Sequence, residues 1–598
     1  MSDHQHTFSR DRLVQKFGEQ PFSLVFSGQG FNWLKTLREA VAAGAGFNVN
    51  SIVERAASLT EPVADELTAA RPFGFDPVDW ASNDDDPAFD ISQAVLSVPG
   101  IFVSQLATLD TLEAQRLSLE KSAVTIGHSQ GALGVHLLKD LTQAAEILAI
   151  AELIGAAGVH TARVNGFIRN GKLSPMVSVQ GVTQEQLEEA IAATTADSAD
   201  DATRPIIGLR NTRDSFVVVG RPDDVQRVQS FLQARAAKDA KAIANKERGG
   251  KPFAPVFNPL DVQIAFHHPA MQPAVDQVVE WAKACGLNEE LAEQCAKDVL
   301  VNPEDWVEQV NKAIDAGVRW LLDVGPDGGV VKLTNAVAQG RGALSFAVCD
   351  NDGQALLFDP GMGPTLPKKW TEFAPKLVTS KTGTKVETKF TRLTGRSPMM
   401  LAGMTPTTVD PEIVAAAANA GHWAEMAGGG QVTPEILESN IEKLTGLLNP
   451  GVNAQFNSMF LDPYLWKMQI GGKRLVQRAR ENGAPIDGVV VTAGMPDRDD
   501  AVALIKELRN NGFPWVCFKP GAVKHIKKVL SVARQVPDIP VIIQVEGGKA
   551  GGHHSWEDLD DLLIATYDEI RQQPNAVLVV GGGIGTPERA ADYISGEW

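Results

Sequence analysis

The chain has 598 residues, room for about three to five domains, with 44% apolar and 21% charged residues, an ordinary globular balance. Its formal net charge of −18 argues against a nucleic-acid-binding face and against attraction to anionic membranes. Cys285, Cys295, Cys349 and Cys517 form no C-x-x-C pair, the N-terminus lacks an apolar signal segment, and no apolar run of about 18 residues is read, so a reduced, cytoplasmic protein without disulfides, structural zinc or membrane span is expected.

In chain order, residues 1–20 are polar and read as an N-terminal arm. Residues 22–26 (FSLVF) read as a buried parallel strand, followed by the turn Ser27-Gly28-Gln29-Gly30. Helical patterning follows to about residue 120. It is broken at 83–87 by NDDDP, a solvated acidic turn rather than a metal site. Residues 123–126 (AVTI) form a second short strand, which runs into Gly127-His128-Ser129-Gln130-Gly131 and then a helix from Ala132. Over residues 174–237 the order β-α-β-β-α predicts a small ferredoxin-like insert in the larger α/β domain. Residues 238–251, basic and glycine-containing, read as a solvated loop. A strand and turn at 320–326 complete the first domain, 21–350. Residues 351–390, rich in Pro, Gly, Lys and Thr, read as a linker.

A G-x-S-x-G pattern alone is weak in a chain with 54 glycines. Here a strand precedes it and a helix follows, the context of a nucleophile elbow. A serine hydroxyl needs a general base, and a histidine suits that role. His267, in AFHHPAM at 265–271, is the candidate, with the adjacent His268 as its rival. The oxyanion needs N–H donors. The backbone of Gln130, opening a helix, is one, and a loop amide at Gln29 is a second. His128 reads as a turn residue shaping the pocket.

The motifs GQG at 28–30, GHSQG, FHHPAM and DVGPDGG at 323–329 resemble the acyltransferase domains of fatty acid synthases. The resemblance is closer to the bacterial (actinobacterial) type I synthase and more distant to the fungal β chain. It implies a Ser129–His267 dyad with no third carboxylate and a backbone carbonyl, just before Asn302-Pro303, orienting the imidazole. Malonyl-specific relatives place an arginine about twenty-five residues after the serine, where it would pair with the malonate carboxylate. Ile154 stands there, which implies acetyl-CoA as the acyl donor. Arg163, nearby, keeps the malonyl alternative open.

From 397 the pattern changes. Strand-like runs at 398–402, 423–426, 452–458, 487–492, 514–518, 540–545 and 576–580 alternate with helical segments, which predicts a (β/α)8 barrel cut after its seventh unit. The polar groups cluster where strands end: Gly403 and Met404, Asn457, Gly494, Lys519, Gln544, Gly551 and Gly552 before His553, and Gly581, Gly582, Gly583 and Gly585. The last set suits a phosphate at a helix start. Lys519 offers a cation, though a lysine there can equally be solvated. His553 reads as a proton donor, with a metal pair formed with His554 as the alternative. The segments GRSPMMLAGMTP, NAGHWAEMAGGGQ, EGGKAGGHHSWED and GGGIGTPERAADYISGEW resemble the flavin-dependent enoyl reductase domain of type I fatty acid synthases. That resemblance implies FMN, NADPH as hydride source, reduction of a trans-2-enoyl thioester on acyl carrier protein, and His553 as the group that protonates the product carbon. Taken together, the expectation is an α/β multidomain protein. It has an α/β-hydrolase-like acyltransferase core, then a barrel over 391–598, in a fragment of a larger synthase. The expected partners are the phosphopantetheine arm of acyl carrier protein and the other synthase domains, in a homo-oligomer. An acyltransferase–reductase fusion serving a polyketide synthase and an inactive scaffold remain as rivals.

Overall fold

The computed structural model describes residues 21–596, apart from 43, 45, 84–86, 115–121, 196–200, 246, 248–251, 350–355, 358–364, 382 and 552–554. The expected arm 1–20, much of the expected linker, and Gly552 and His553 therefore lie outside the described residues. The chain divides into two compact units, Met1–Lys241 with Pro252–Pro367, and Ala242–Lys251 with Lys368–Trp598.

In the first unit the strands are β1 (Phe22–Phe26), β2 (Ser122–Gly127), β3 (Met176–Gln180), β4 (Ile206–Arg210), β5 (Ser215–Val219), β6 (Val256–Pro259), β7 (Glu304–Asp305), β8 (Trp320–Asp323) and β9 (Leu344–Ala347). β1, β2, β8 and β9 form a parallel sheet in the order β2-β1-β8-β9. Every residue of β1 is buried, as its unbroken apolar run requires when both faces are covered. Ala94–Leu112 and Leu141–Asn165 are long and apolar enough to cross a membrane by length and composition, which corrects the expectation that no such stretch exists. They are 94% and 83% buried and form the centre of the domain core.

The ferredoxin-like insert is present and larger than expected. Its β-α-β-β-α-β order builds an antiparallel sheet, β6-β3-β5-β4, and β7 adds to the outer edge, parallel to β4. The fourth strand, β6, escapes a pattern search because it is mostly solvent-facing and ends in proline, both features of an edge strand. The expected loop from 238 is also corrected. The helix Pro222–Ala244 runs into it as far as Ala244 on helix-forming Lys and Ala residues.

The second unit opens with a hairpin of β10 (Lys376–Ser380) and β11 (Gly383–Glu387). Seven parallel strands follow in sequential order: β12 (Met400–Leu401), β13 (Trp423–Ala427), β14 (Ala454–Met459), β15 (Ile486–Thr492), β16 (Trp515–Phe518), β17 (Val541–Glu546) and β18 (Ala576–Gly581). All seven lie where the apolar runs put them. β12 and β18 are not paired with each other, so the sheet has barrel order without barrel closure. Trp423, Trp515 and Phe390 pack on its inner side, with the Arg396 guanidinium 5.6 Å from both tryptophan rings.

Candidate active site

Ser129 sits where β2 turns into a short 3-10 helix and then into the helix Ala132–Leu137. The turn is tight. A Cβ on Gly131 would lie 2.0 Å from the Phe26 carbonyl oxygen, so glycine is required for the elbow to rest on β1. Ser129 itself adopts φ +57°, a left-handed conformation costly for a residue with a Cβ. That strain lifts its Oγ out of the turn.

The Ser129 hydroxyl lies 2.7 Å from His267 Nε2. His267 is also left-handed, at φ +59°, and is fully buried. Its Nδ1 donates to the Asn302 carbonyl at 2.8 Å, which places the lone pair on Nε2, facing the serine. The orienting carbonyl is thus that of Asn302 itself, a correction of one residue to the expected position before it. Burial pulls the His267 pKa down to about 4, against the raising effect of the Asn302 contact, so the imidazole is neutral and able to take a proton at pH 7. His268 has both nitrogens engaged. Nε2 meets the Arg204 carbonyl at 2.8 Å and Nδ1 accepts the Ala270 N–H at 3.1 Å. It caps the turn Pro269–Met271 and is not the base.

Gln29 and Gln130 are brought together, the Gln29 side-chain amide donating to the Gln130 side-chain carbonyl. The Gly28 backbone passes so close that a Cβ there would lie 2.9 Å from Ser129 Cβ and 3.1 Å from the Gln130 nitrogen. The absent side chain keeps open the space over the Gln130 N–H, where an oxyanion would form. His128 Nε2 donates to Asn211 Oδ1 (2.8 Å), and the ring stands edge-on to Trp306. Ile154 is fully buried in the helix Ala144–Asn165, in the main core.

Two features were not legible in the sequence. One is Glu304, whose carboxyl Oε2 accepts the Ser129 backbone N–H from 175 residues away. The other is Asn211, supplied to His128 by the insert. Neither stands in a motif, and only the pairing of β7 with β4 brings Glu304 to the elbow.

In the second unit the strand ends form a polar cluster. Glu425 accepts the Gly403 N–H at 2.7 Å, the Asn457 side-chain amide at 2.8 Å and the Trp423 indole at 2.9 Å. Lys519 pairs with Glu546 at 3.0 Å and faces Glu425 at 3.8 Å, and Gln544 donates to Glu546. Burial works to lower the Lys519 pKa, but the two carboxylates overcome it and hold it raised. Lys519 is therefore neither solvated nor a free cation, since its charge is taken up within the sheet. Gly581 lies beside Gln544 and Glu546, and Gly551 is against Met404. Gly494 stands apart, against Phe460 and Leu461, and a Cβ on Gly585 would meet nothing within 4 Å. Gly582 and Gly583 have φ +107° and +78° and line a pocket with Lys549, Arg589 and Tyr593.

A strained serine on a strand–helix elbow, a neutral histidine anchored at Nδ1 and an open backbone donor define a site for acyl transfer through a serine ester. The comparisons with known fatty acid synthases agree in class. Residues 175–259 match the family model described as fatty acid synthase central AT domain, and residues 540–598 match that of fatty acid synthase subunit beta/Fas1-like, helical. The chain is 27% identical over 636 residues to fatty acid synthase subunit beta of Schizosaccharomyces pombe, covering 96% of this chain. It is 30% identical over 476 residues to the corresponding subunit of Saccharomyces cerevisiae, covering 72%. It spans 30% and 22% of the lengths of those two relatives. A malonyl-CoA:acyl carrier protein transacylase structure from Xanthomonas oryzae aligns with 57% of this chain and 98% of its own, at 17% identity and a TM-score of 0.44. The chain is thus a homologue of fungal fatty acid synthase beta subunits, with a match to their acyltransferase region.

Proposed function

We propose that the first unit is an acetyltransferase of fatty acid biosynthesis, loading acetyl from acetyl-CoA onto Ser129 and passing it to the phosphopantetheine thiol of acyl carrier protein. As Ser129 Oγ attacks the thioester carbonyl, His267 Nε2 takes its proton, and the carbonyl oxygen, now negative, is met by the Gln130 N–H and the Gln29 loop. The C–S bond breaks and the imidazolium returns the proton to the departing coenzyme A sulfur. The second half-reaction runs the same steps in reverse with the carrier thiol. The observation that carries this is the 2.7 Å contact between Ser129 Oγ and a His267 whose other nitrogen is held by Asn302. The apolar Ile154 favours acetyl, because a malonyl carboxylate would find no arginine there. With radiolabelled acetyl-CoA, Ser129→Ala is expected to retain no label and His267→Ala to load at least about 1,000-fold more slowly. Label retained by Ser129→Ala overturns the assignment.

For the second unit we propose an FMN-containing, NADPH-dependent reductase acting on 2-enoyl thioesters of the same carrier. The left-handed Gly582 and Gly583, the Lys549 side chain packed over Gly583 and Arg589 in the same pocket suit a phosphate at the start of the helix Pro587–Ser595. When bound, FMN would supply the hydride relay from NADPH. The buried Glu425–Lys519–Glu546 cluster would fix the floor of that site, with Gly403, Met404, Asn457 and Gln544 around it. His553 is proposed as proton donor on the strength of its motif. The setting proposed is a larger, cytoplasmic, homo-oligomeric synthase, with the actinobacterial type I enzyme as the nearer likeness in motifs.

A further inference from the structure

Glu304 lies next to the nucleophile and has no part in the dyad. It sits on β7, where Glu304 pairs with Leu209 and Asp305 with Arg210 of β4. The residue as a whole is half-buried, but its carboxyl end is not. Oε2 accepts the Ser129 N–H, and among the described residues Oε1, sealed from solvent, has no hydrogen-bond partner. No cation among the described residues answers it. Arg210 is taken by Asp305 at 2.9 Å, and His136 by Asp298 at 3.0 Å. The remaining titratable groups of the site, His267 and His128, are buried and held neutral. Burial pushes the Glu304 pKa up to about 8. The Ser129 N–H opposes the rise, and Asp298 and Asp305 add to it.

We propose that Glu304 is a positioning residue of the acyl-transfer site that works as a neutral acid. Its carbonyl oxygen holds the Ser129 backbone in the left-handed elbow, its proton rides on the sealed Oε1, and loss of that proton shuts the site. The reason lies in charge. During attack, negative charge grows on the thioester oxygen at the Gln130 N–H, one residue from the amide that Glu304 holds. A neutral acid there tightens the elbow at no electrostatic cost. A carboxylate a few ångströms away opposes the growing charge, by about 100-fold in rate at the effective dielectric of a protein site.

This inference rests on the acyl-transfer function proposed above, and its test separates the two. Transfer from acetyl-CoA to Ser129 is followed in a single turnover from neutral to alkaline pH, so that titration of an acceptor thiol plays no part. The wild-type chain is expected to lose rate by about tenfold per pH unit above about pH 8, levelling near 100-fold. Glu304→Gln, which keeps the acceptor oxygen and cannot ionise, should be slower than wild type at neutral pH yet hold its rate into the alkaline range. Glu304→Ala should lose rate at every pH. An alkaline fall that persists in Glu304→Gln, or its absence from the wild type, overturns the proposal, and the wild-type profile decides even if the variant does not fold. If wild type takes up no acetyl at all, the acetyltransferase function fails instead. The same profiles taken with a fluorophosphonate, which reports serine reactivity without a thioester, then still decide for or against Glu304.

Discussion

His267 and Glu304 hold the same serine, one at its hydroxyl and one at its backbone N–H, and carry opposite pH dependences. The His267 pKa falls from 6.5 to about 4 on folding, so its contribution to stability is present above 6.5 and lost as pH falls through about 4. That loss amounts to roughly 3 kcal/mol. The Glu304 pKa rises from 4.5 to about 8, so its contribution is present below 4.5 and lost as pH rises through about 8. Between 4.5 and 6.5 the two slopes cancel. Above 6.5 only the Glu304 loss remains. Denaturant unfolding of the chain is therefore expected to show a stability plateau between those values and a decline above it. Glu304→Gln should gain on the wild type by up to about tenfold in unfolding constant per pH unit across 6.5 to 8. A difference that does not change with pH would mean that Glu304 ionises in the folded chain as it does in water.

At the scale of elements, the two turns that build the site both depend on glycine, at Gly28 and Gly131 through space rather than through dihedral freedom. Gly28 has no Cβ because Ser129 and Gln130 occupy that volume. Gly28→Ala should leave the sheet intact, displace the Gln130 N–H and slow Ser129 acylation by about 100-fold, the usual cost of one oxyanion donor. Single-turnover labelling beside a circular dichroism spectrum checks this, and full activity would place the oxyanion elsewhere. How much of this was legible follows from range. The strand–turn–helix around Ser129 is local, and so are the seven apolar strands of the second unit, each written as a contiguous run. His267 could be found because its neighbours form a motif. The preference for His267 over His268 rested on that motif, while its physical reason, the carbonyls of Asn302 and Arg204 across the fold, could not be read from the sequence. β6 and β7 were invisible for a related reason, as short edge strands carry no apolar period.

At the scale of the whole molecule, each unit has its own hydrophobic core, so damage to one should spare the other. Arg396 offers the cleanest test. It is 11% exposed at its side chain, pairs with Asp487 at 2.7 Å and lies over Trp423 and Trp515. Arg396→Ala leaves Asp487 with the Gln455 amide but without a counter-charge and is expected to cost the second unit about 3–5 kcal/mol. FMN fluorescence, expected to be quenched by the wild-type chain, should then recover on mild heating, while acetyl loading at Ser129 persists. Unquenched FMN with the wild type would remove the flavin proposal, and loss of loading in Arg396→Ala would mean that the units fold as one.

The edge strand β7 has a consequence for inheritance. It is two residues long, and its register on β4 alone decides which acid reaches the serine. Neighbouring strand residues point to opposite faces, so a slip of one position would turn Glu304 away and offer the shorter Asp305, already claimed by Arg210. A single inserted or deleted residue between Asn302 and Trp306, or in the insert before Leu209, would thus mis-set the nucleophile without touching any residue of the dyad. Length in those two segments should be as strictly kept across working versions of this domain as the serine itself.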